Sequence, residues 1–355
     1  MSGGLEGVIA AETVISNLDE SGTVWVRGHS INELVSNYGY EGTIALLWED
    51  FAGTGLTRES VIAQLGADRA LAFSRLEDWL PKAAHRPLIE GVRRALASLP
   101  EDSSASAITA TLTVAITALL RAQNGQPPMA PNVTLTTSAD LLRTIRGEPA
   151  EQRFVNALDT YLTTVIDNGL GTSTFAGRVI ISTQASLASA MLGAYGAFTG
   201  PLHGGAPSLA LDMLDRIGAS GDIEGWLEHA LAGGERLIGF GHRMFRKRDP
   251  RADILRSALQ RLDPNNQRLV FAQEVERRAV GALARYKPGR RLEANIEIDA
   301  ALLLDAIGIT REAFTPIFAV ARMPAWIAHA LEQRKSGRMM RPTSHYIGRQ
   351  SIDTK

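Results

Sequence analysis

The segment Gly239–Arg251 combines flexible backbone, an imidazole and a dense run of positive charge. Gly239 and Gly241 flank Phe240, His242 follows directly, and five cations stand in the nine residues from Arg243 to Arg251. Arginine can hold a carboxylate through two parallel hydrogen bonds. A run of charge is also typical of a solvated surface. The segment therefore predicts either an anion site beside His242 or an exposed basic face, and its Asp249-Pro250 pair predicts a helix start.

A second histidine stands in a glycine-rich loop, Gly200–Pro207. The glycines after His203 would let a ligand approach the backbone. A helix that begins near Pro207 would place the imidazole by the positive end of the helix dipole, which favours the neutral form. A neutral imidazole can donate a hydrogen bond to a carbonyl oxygen. The alternative is a turn that carries an exposed histidine.

Two carboxylates, Glu297 and Asp299, flank Ile298. Residues two apart on a helix do not share a face, so we expect at most one of them to reach a site shared with the histidines. A carboxylate buried among isoleucines would have a raised pKa and could act as a general base. The alternative is an acidic first turn of a helix.

The elements that must position these residues are predicted to be helices. A loose alternation between Gly7 and about Gly28 indicates a minor N-terminal β-hairpin, and helical spacing follows from Ser30 onward. The segment 104–122 is interpreted as a buried helix, and residues 154–166, including Tyr161, form an amphipathic stripe expected to end at Asn168-Gly169. Further helices are expected over 296–307 and over 312–335, where Pro324 should kink or divide the last one.

Composition excludes several kinds of site. The chain has 355 residues, 45% of them hydrophobic and 21% charged, with a net charge of -1, so we expect no general attraction to nucleic acid or to a membrane surface. There are no cysteines, which rules out thiolate nucleophiles and cysteine-bound metals and agrees with a reducing compartment. The start of the chain lacks the pattern of a signal peptide, and we expect a cytoplasmic protein.

Several motifs resemble those of the citrate synthase family and stand in the family's order. The most specific are Gly200–Ala206, Gly239–Arg243, Asp249–Arg251 and Arg341-Pro342, and the family's N-terminal strands are matched by Leu5–Val8, Glu12-Thr13 and Arg27–His29. The likeness covers essentially the whole chain. It implies an all-α, mostly helical fold with a large helical domain, residues 1–205 and 305–355, and a small inserted domain, residues 206–304, that closes over substrate. It also implies a homodimer of the short type.

The reaction of that family is a Claisen condensation, in which the enol of an acyl-CoA attacks the ketone of oxaloacetate and hydrolysis then frees CoA. The resemblance implies that His203 hydrogen-bonds the thioester oxygen, that His242 polarises the ketone of oxaloacetate and that Glu297 is the base that removes the α-proton. It implies no metal and no tightly bound cofactor, with acyl-CoA as cosubstrate. The remaining implied roles are substrate binding by Asn168, Arg251, Arg322 and, across the dimer, Arg341, and a CoA cleft lined by Gly239, Gly241, Arg243 and Asn295.

Three positions depart from the commonest family pattern. Glu297 replaces an aspartate, so its carboxylate is one methylene further out and must be re-aimed. Asn168 stands where an oxaloacetate-binding histidine is usual, and asparagine can donate a hydrogen bond but cannot become cationic. Pro207 replaces an asparagine at the edge of the site.

These departures leave alternatives open at the level of sequence. The acyl group is acetyl or a longer chain such as propionyl, giving citrate or 2-methylcitrate, and another keto acid could replace oxaloacetate. A rival hypothesis is a catalytically weak paralogue that serves as a binding or regulatory subunit of a heterodimer. A nucleic-acid binder is supported only by the basic run, and the net charge argues against it.

Overall fold

A small antiparallel sheet opens the computed structural model, which describes residues 8–19, 23–241, 249–289 and 292–348. Its strands are β1, Ser16–Leu18, β2, Val24–Val26, and β3, His29–Ser30, in the order β1-β2-β3. Val24 and Val26 are buried while Trp25 between them is exposed, as the period of two in a strand requires. The minor N-terminal β element is confirmed and includes a third short strand.

Helices make up most of the remaining chain, which confirms the mostly helical fold class. Their first residues carry the predicted start signals: Asp249 caps one helix, and Pro207 lies in the first turn of another. The helices are α1 Ile31–Glu33, followed by a π-helical turn Leu34–Tyr38, α2 Gly39–Trp48, α3 Arg58–Ser74, α4 Leu76–Ala83, α5 Leu88–Ala97, α6 Ala105–Gln123, α7 Thr137–Arg146, α8 Gln152–Thr164, α9 Thr172–Ser182, α10 Leu187–Phe198, α11 Ala206–Ser220, α12 Ile223–Ala232, α13 Pro250–Leu262, α14 Gln267–Tyr286, α15 Ile296–Ile307 and α16 Arg311–Ser336.

Helix α6 is the buried helix expected over 104–122. Within the described residues it alone is long and apolar enough to cross a membrane, but 83% of its most apolar window is buried inside the protein. Its threonines turn their hydroxyls back onto the helix, as where Thr109 and Thr113 donate to the carbonyls four residues earlier. The burial favours a core helix.

Helix α8 ends earlier than the apolar stripe predicted. The helix stops at Thr164, and Val165 and Ile166 follow it as buried turn residues. The apolar pattern therefore extends beyond the helix, because the side chains of Val165 and Ile166 still pack into the core. Asn168-Gly169 lies in the loop between α8 and α9.

Helix α16 is continuous through Pro316 and Pro324, so of the two outcomes expected at Pro324, a kink or a division, the division is wrong. A proline within a helix leaves the carbonyl four residues earlier without its donor. That carbonyl belongs to Val320, and it accepts a 2.6 Å hydrogen bond from Tyr40 Oη. Trp48 Nε1 donates to the Pro324 carbonyl at 3.1 Å. Side chains of α2 thus supply donors beside the proline.

Candidate active site

The loop that carries His203 is held by close packing. Gly204 N donates to the Phe198 carbonyl at 2.8 Å, and the Gly204 carbonyl accepts from Thr315 Oγ1 at 3.0 Å. A Cβ at Gly204 would lie 2.6 Å from the Phe198 ring and 2.7 Å from its carbonyl oxygen, so only glycine fits. The His203 ring meets the Phe198 ring edge-on at 5.0 Å. Position 203 is therefore fixed by the end of α10 and by α16.

The imidazole of His203 is neutral at physiological pH. Its Nε2 lies 3.0 Å from Ser173 Oγ on α9. Burial, and after it the positive charge of Arg322, lowers the pKa of His203 to about 4. The environment thus favours the neutral form expected from the sequence, although burial rather than the dipole of α11 is the main cause.

Glu297 lies in the first turn of α15, whose N-cap is Asn295. Asn295 Oδ1 accepts from Glu297 N at 3.0 Å. Glu297 Oε2 is buried and has no hydrogen-bond partner among the residues that the structure describes. Burial raises the pKa of Glu297 to about 7; Asp249 adds to the rise, while Arg251 and Arg322 oppose it. A carboxyl group with this pKa exchanges a proton readily near neutral pH.

The second carboxylate of this helix turns elsewhere. Asp299 is buried and accepts from Arg256 on α13, at 2.8 Å from Nε and 3.0 Å from Nη2. Arg256 also bonds Glu276 on α14 at 2.7 Å. The expectation that only one of the two carboxylates faces the histidines agrees with this arrangement, and the Arg256 bridge fixes the orientation of α15.

Two buried arginines accompany Glu297. Arg251 donates from Nε and Nη2 to the two oxygens of Asp249 at 3.0 and 2.8 Å, and both side chains are buried. Arg322 is 6% exposed and stacks over Phe318 at 4.9 Å, but it makes no ion pair or hydrogen bond within the described chain. Burial, and then the charge of Arg251, lowers the pKa of Arg322 to about 10, which leaves it cationic. A buried cation without an anion predicts an anionic ligand.

Gly239 and Gly241 attach the segment that precedes His242 to the start of α15. Gly241 N donates to the Glu293 carbonyl and Asn295 N to the Gly239 carbonyl, both at 2.8 Å, while Asn295 Nδ2 donates to the Gly241 carbonyl at 3.1 Å. Both glycines have positive φ, +85° and +75°, which a side chain would strain. Two hydrogen bonds therefore join Gly241, the residue before His242, to the chain that leads into the helix turn of Glu297. His242 and Arg243 themselves lie outside the described residues.

The loop with Asn168 is anchored by a buried network. Asp167 Oδ2 lies 3.2 Å from His329 Nε2, and His329 Nδ1 lies 3.1 Å from Arg178 Nη2. Arginine only donates, so Nδ1 accepts and Nε2 carries the hydrogen toward Asp167. Burial acts to raise the pKa of Asp167, but His329, with smaller contributions from Ser16 and Arg322, outweighs it and lowers the pKa. Asn168 is half-buried, and the buried network restrains its position through the neighbouring Asp167.

Arg341 is the candidate that the structure does not bring to the others. It is exposed in the segment after α16, and it forms no hydrogen bond or ion pair with the described residues. The sequence predicted that Arg341 acts across a dimer, and such a residue would be exposed and without partners in a single chain.

Three residues near this site were not singled out from the sequence. Ser173 contacts His203, Asp249 pairs with Arg251, and Tyr161 lies in the electrostatic range of Glu297 and Arg322. Asp249 was expected to start a helix and to belong to a family motif, but not to pair with Arg251, and Tyr161 was expected only to belong to an apolar stripe. No local signal distinguishes the roles of Ser173 and Tyr161, because each depends on a residue distant in the chain, whereas the pairing of Asp249 with Arg251 is local.

Comparisons with known proteins agree with the motifs. Residues 4–343 match the family model described as "Citrate synthase, C-terminal domain". A citrate synthase of Haloferax volcanii is 32% identical over 369 residues, covering 99% of this chain and 96% of the relative, and a 2-methylcitrate synthase of Mycobacterium tuberculosis is 29% identical, covering 97% and 90%. The crystal structure of citrate synthase from Thermotoga maritima superposes with a TM-score of 0.89 at 28% identity and covers 100% of this chain and 98% of that one.

Proposed function

Because this chain belongs to the citrate synthase family, we propose that His203, Glu297, Arg251 and Arg322 form its active centre. The protein is an enzyme of the citrate synthase type, and its reaction condenses an acyl-CoA with oxaloacetate and releases CoA. One observation carries the assignment of residues: Glu297, whose Oε2 has no partner among the described residues and whose pKa is about 7, interacts electrostatically with the buried Arg251 and Arg322, and Arg322 also acts on the neutral His203.

The first step takes an α-proton from the acyl-CoA. Glu297 accepts that proton through Oε2, the carbon–hydrogen electrons form a carbon–carbon double bond, and the electrons of the thioester carbonyl move onto its oxygen, which becomes an enolate oxygen. His203 donates to this oxygen from Nδ1, which requires the Ser173 hydroxyl to donate to Nε2 and so to fix the tautomer. A hydrogen-bond donor aimed at a developing enolate oxygen lowers the activation free energy by about 3 kcal/mol.

The second step joins the enol carbon to the ketone carbon of oxaloacetate. The family likeness assigns His242 to the ketone oxygen; as the new bond forms and the thioester carbonyl is restored, this oxygen takes the proton that the imidazole of His242 supplies. Arg322 binds one carboxylate of the oxo acid with a guanidinium that has no partner among the described residues, and the family likeness assigns Arg251 to the same dicarboxylate. Asn168 would donate a neutral hydrogen bond where relatives use histidine. Hydrolysis of the thioester then releases CoA.

The CoA cleft and the domain division follow the same proposal. Gly239, Gly241, Arg243 and Asn295 would border CoA. Glu297 and Arg251 belong to the inserted segment 206–304, and the other two members of the centre lie in residues 1–205 and 305–355, so closure of a small domain on a large one would complete the site and exclude water. Arg341 would enter from the second subunit of a homodimer. A cytoplasmic location stays a prediction.

The choice of acyl chain is the finer part of the proposal. Relatives named citrate synthase and 2-methylcitrate synthase resemble this chain to similar degrees, 32% and 29% identity. We propose acetyl-CoA and propionyl-CoA as the two substrates to compare. Nothing in the site or in the relatives favours a regulatory subunit without catalysis.

Release of free thiol tests this function directly. Because the chain has no cysteine, a thiol reagent reacts only with the CoA that is set free. We expect thiol release from acetyl-CoA or propionyl-CoA that depends on oxaloacetate, with citrate or 2-methylcitrate identified by mass. No oxaloacetate-dependent thiol release from either acyl-CoA would refute the proposal.

A further inference from the structure

Three of the buried polar atoms that lack a hydrogen-bond partner among the described residues lie on helices that pack against one another. The atoms are Tyr161 Oη on α8, Glu297 Oε2 on α15 and Arg322 Nε on α16. Glu297 and Arg322 have roles in the proposed reaction, but Tyr161 has none. An unpaired buried polar group is unfavourable for folding and points to a function.

Tyr161 lies at the same place as the other two groups. Its ring meets the ring of Phe318 edge-on at 6.5 Å, and Arg322 stacks on Phe318 at 4.9 Å. Helix α8 packs against both α15 and α16. Burial, and then the negative charge of Glu297, raises the pKa of Tyr161 well above its ordinary value. The hydroxyl therefore keeps its proton and is available as a donor.

Other fully buried tyrosines of the described chain show what is unusual here. Tyr40 Oη donates to the Val320 carbonyl at 2.6 Å, and Tyr195 Oη donates to the Ile89 carbonyl at 3.3 Å. Tyrosine hydroxyls in protein cores generally find such partners. Tyr161 is as deeply buried as Tyr40 and Tyr195, at 0% exposure, yet its hydroxyl has no acceptor within the described chain.

We propose that Tyr161 is a further substrate-binding residue, whose hydroxyl donates a hydrogen bond to a carboxylate oxygen of the oxo acid that Arg322 holds. The inference rests on the proposed function and adds a fourth helix to its binding site. Arg322 offers only donors, so a ligand that satisfies both side chains must be rich in acceptors, as a dicarboxylate is.

A bond from Tyr161 to Glu297 is the competing use of the hydroxyl, and the structure disfavours it. The two groups are not hydrogen bonded.

The test is the affinity for oxaloacetate alone, measured by isothermal titration calorimetry with no acyl-CoA present. Tyr161→Phe should weaken binding about tenfold or more, the usual loss for a hydrogen bond to a charged group. Tyr195→Phe is the matched control, because it removes a tyrosine hydroxyl that is bonded to backbone away from the site, and it should bind as the wild type does. The melting temperature should fall for Tyr195→Phe and stay level or rise for Tyr161→Phe.

The outcomes separate this inference from the proposed function. A change of less than twofold for Tyr161→Phe would overturn the role of Tyr161, as would a fall in melting temperature equal to that of Tyr195→Phe, which would reveal a structural bond. Thiol release by the wild-type protein reports on the reaction independently of either variant. A wild type that releases thiol while Tyr161→Phe keeps full affinity would leave the function standing and the inference refuted.

Discussion

Replacement of Glu297 by glutamine should stabilise the protein, and more so at higher pH. Burial raises the pKa of this carboxyl from 4.5 to about 7. The unfolded chain therefore loses the proton at a lower pH than the folded chain does, and ionisation penalises the folded state. The penalty accumulates between about pH 4.5 and 7 and is complete above the folded pKa. Glutamine keeps the shape of the side chain without the charge.

The magnitude follows from the pKa difference. At about 1.4 kcal/mol per pKa unit, the shift corresponds to about 3 kcal/mol of unfolding free energy at pH 8, and to about 1 kcal/mol at pH 5, where little of the folded form is ionised. Glu297→Gln should recover these amounts. Glu148, an exposed carboxylate between α7 and α8, provides the control Glu148→Gln, which should change stability by less than about 0.5 kcal/mol at either pH.

Urea unfolding at pH 5 and pH 8, at one protein concentration because an oligomer would shift the midpoint, measures the difference. The reasoning predicts a stabilisation by Glu297→Gln that grows about threefold from the lower to the higher pH. An equal effect at both values, or a loss of stability at pH 8, would show that the carboxylate is not held in a penalising environment.

Four further predictions follow from the same geometry. The value of kcat/KM for thiol release should rise about tenfold per pH unit below the Glu297 pKa of about 7 and level off above it, because only the ionised carboxylate accepts a proton; a flat profile through pH 7 would contradict this. Ser173→Ala should lower kcat about tenfold or more, with the KM for oxaloacetate nearly unchanged, because His203 loses the contact that fixes its tautomer; steady-state kinetics at both substrates decide, and an unchanged kcat would exclude this positioning role. Arg322→Met should raise the KM for oxaloacetate about a hundredfold while the melting temperature rises, because a buried unpaired cation is removed; a lower melting temperature would reveal a structural ion pair. Gly204→Ala should destabilise the fold by about 1 to 3 kcal/mol in urea, since its Cβ would meet Phe198, and unchanged stability would mean that the loop can move.

The starts and ends of several helices could be predicted because their signals are local. Asp249-Pro250 opens α13, Pro207 lies in the first turn of α11, and α15 spans 296–307 as expected. Capping side chains and proline act within a few residues, so the sequence alone carries that information.

Features that depend on distant residues were missed. Pro324 does not divide α16, because Tyr40 from the other end of the chain donates to the carbonyl that the proline leaves free. The contact of Ser173 with His203 likewise joins two residues that are 30 positions apart in the chain. The two roles of Glu297 and Asp299 were separable from helix periodicity, but the identity of their partners was not.

The central claim is that Glu297 is the base that removes the α-proton, and thiol release by Glu297→Gln tests it most directly. The measurement compares wild type, Glu297→Gln and Glu148→Gln at pH 8 with saturating oxaloacetate and the better acyl-CoA. General base catalysis supplies about 10² to 10⁴ in rate, so we expect Glu297→Gln to lose about a thousandfold in kcat while Glu148→Gln keeps the wild-type rate. A Glu297→Gln protein that is folded and retains more than about a tenth of the wild-type kcat would contradict the account.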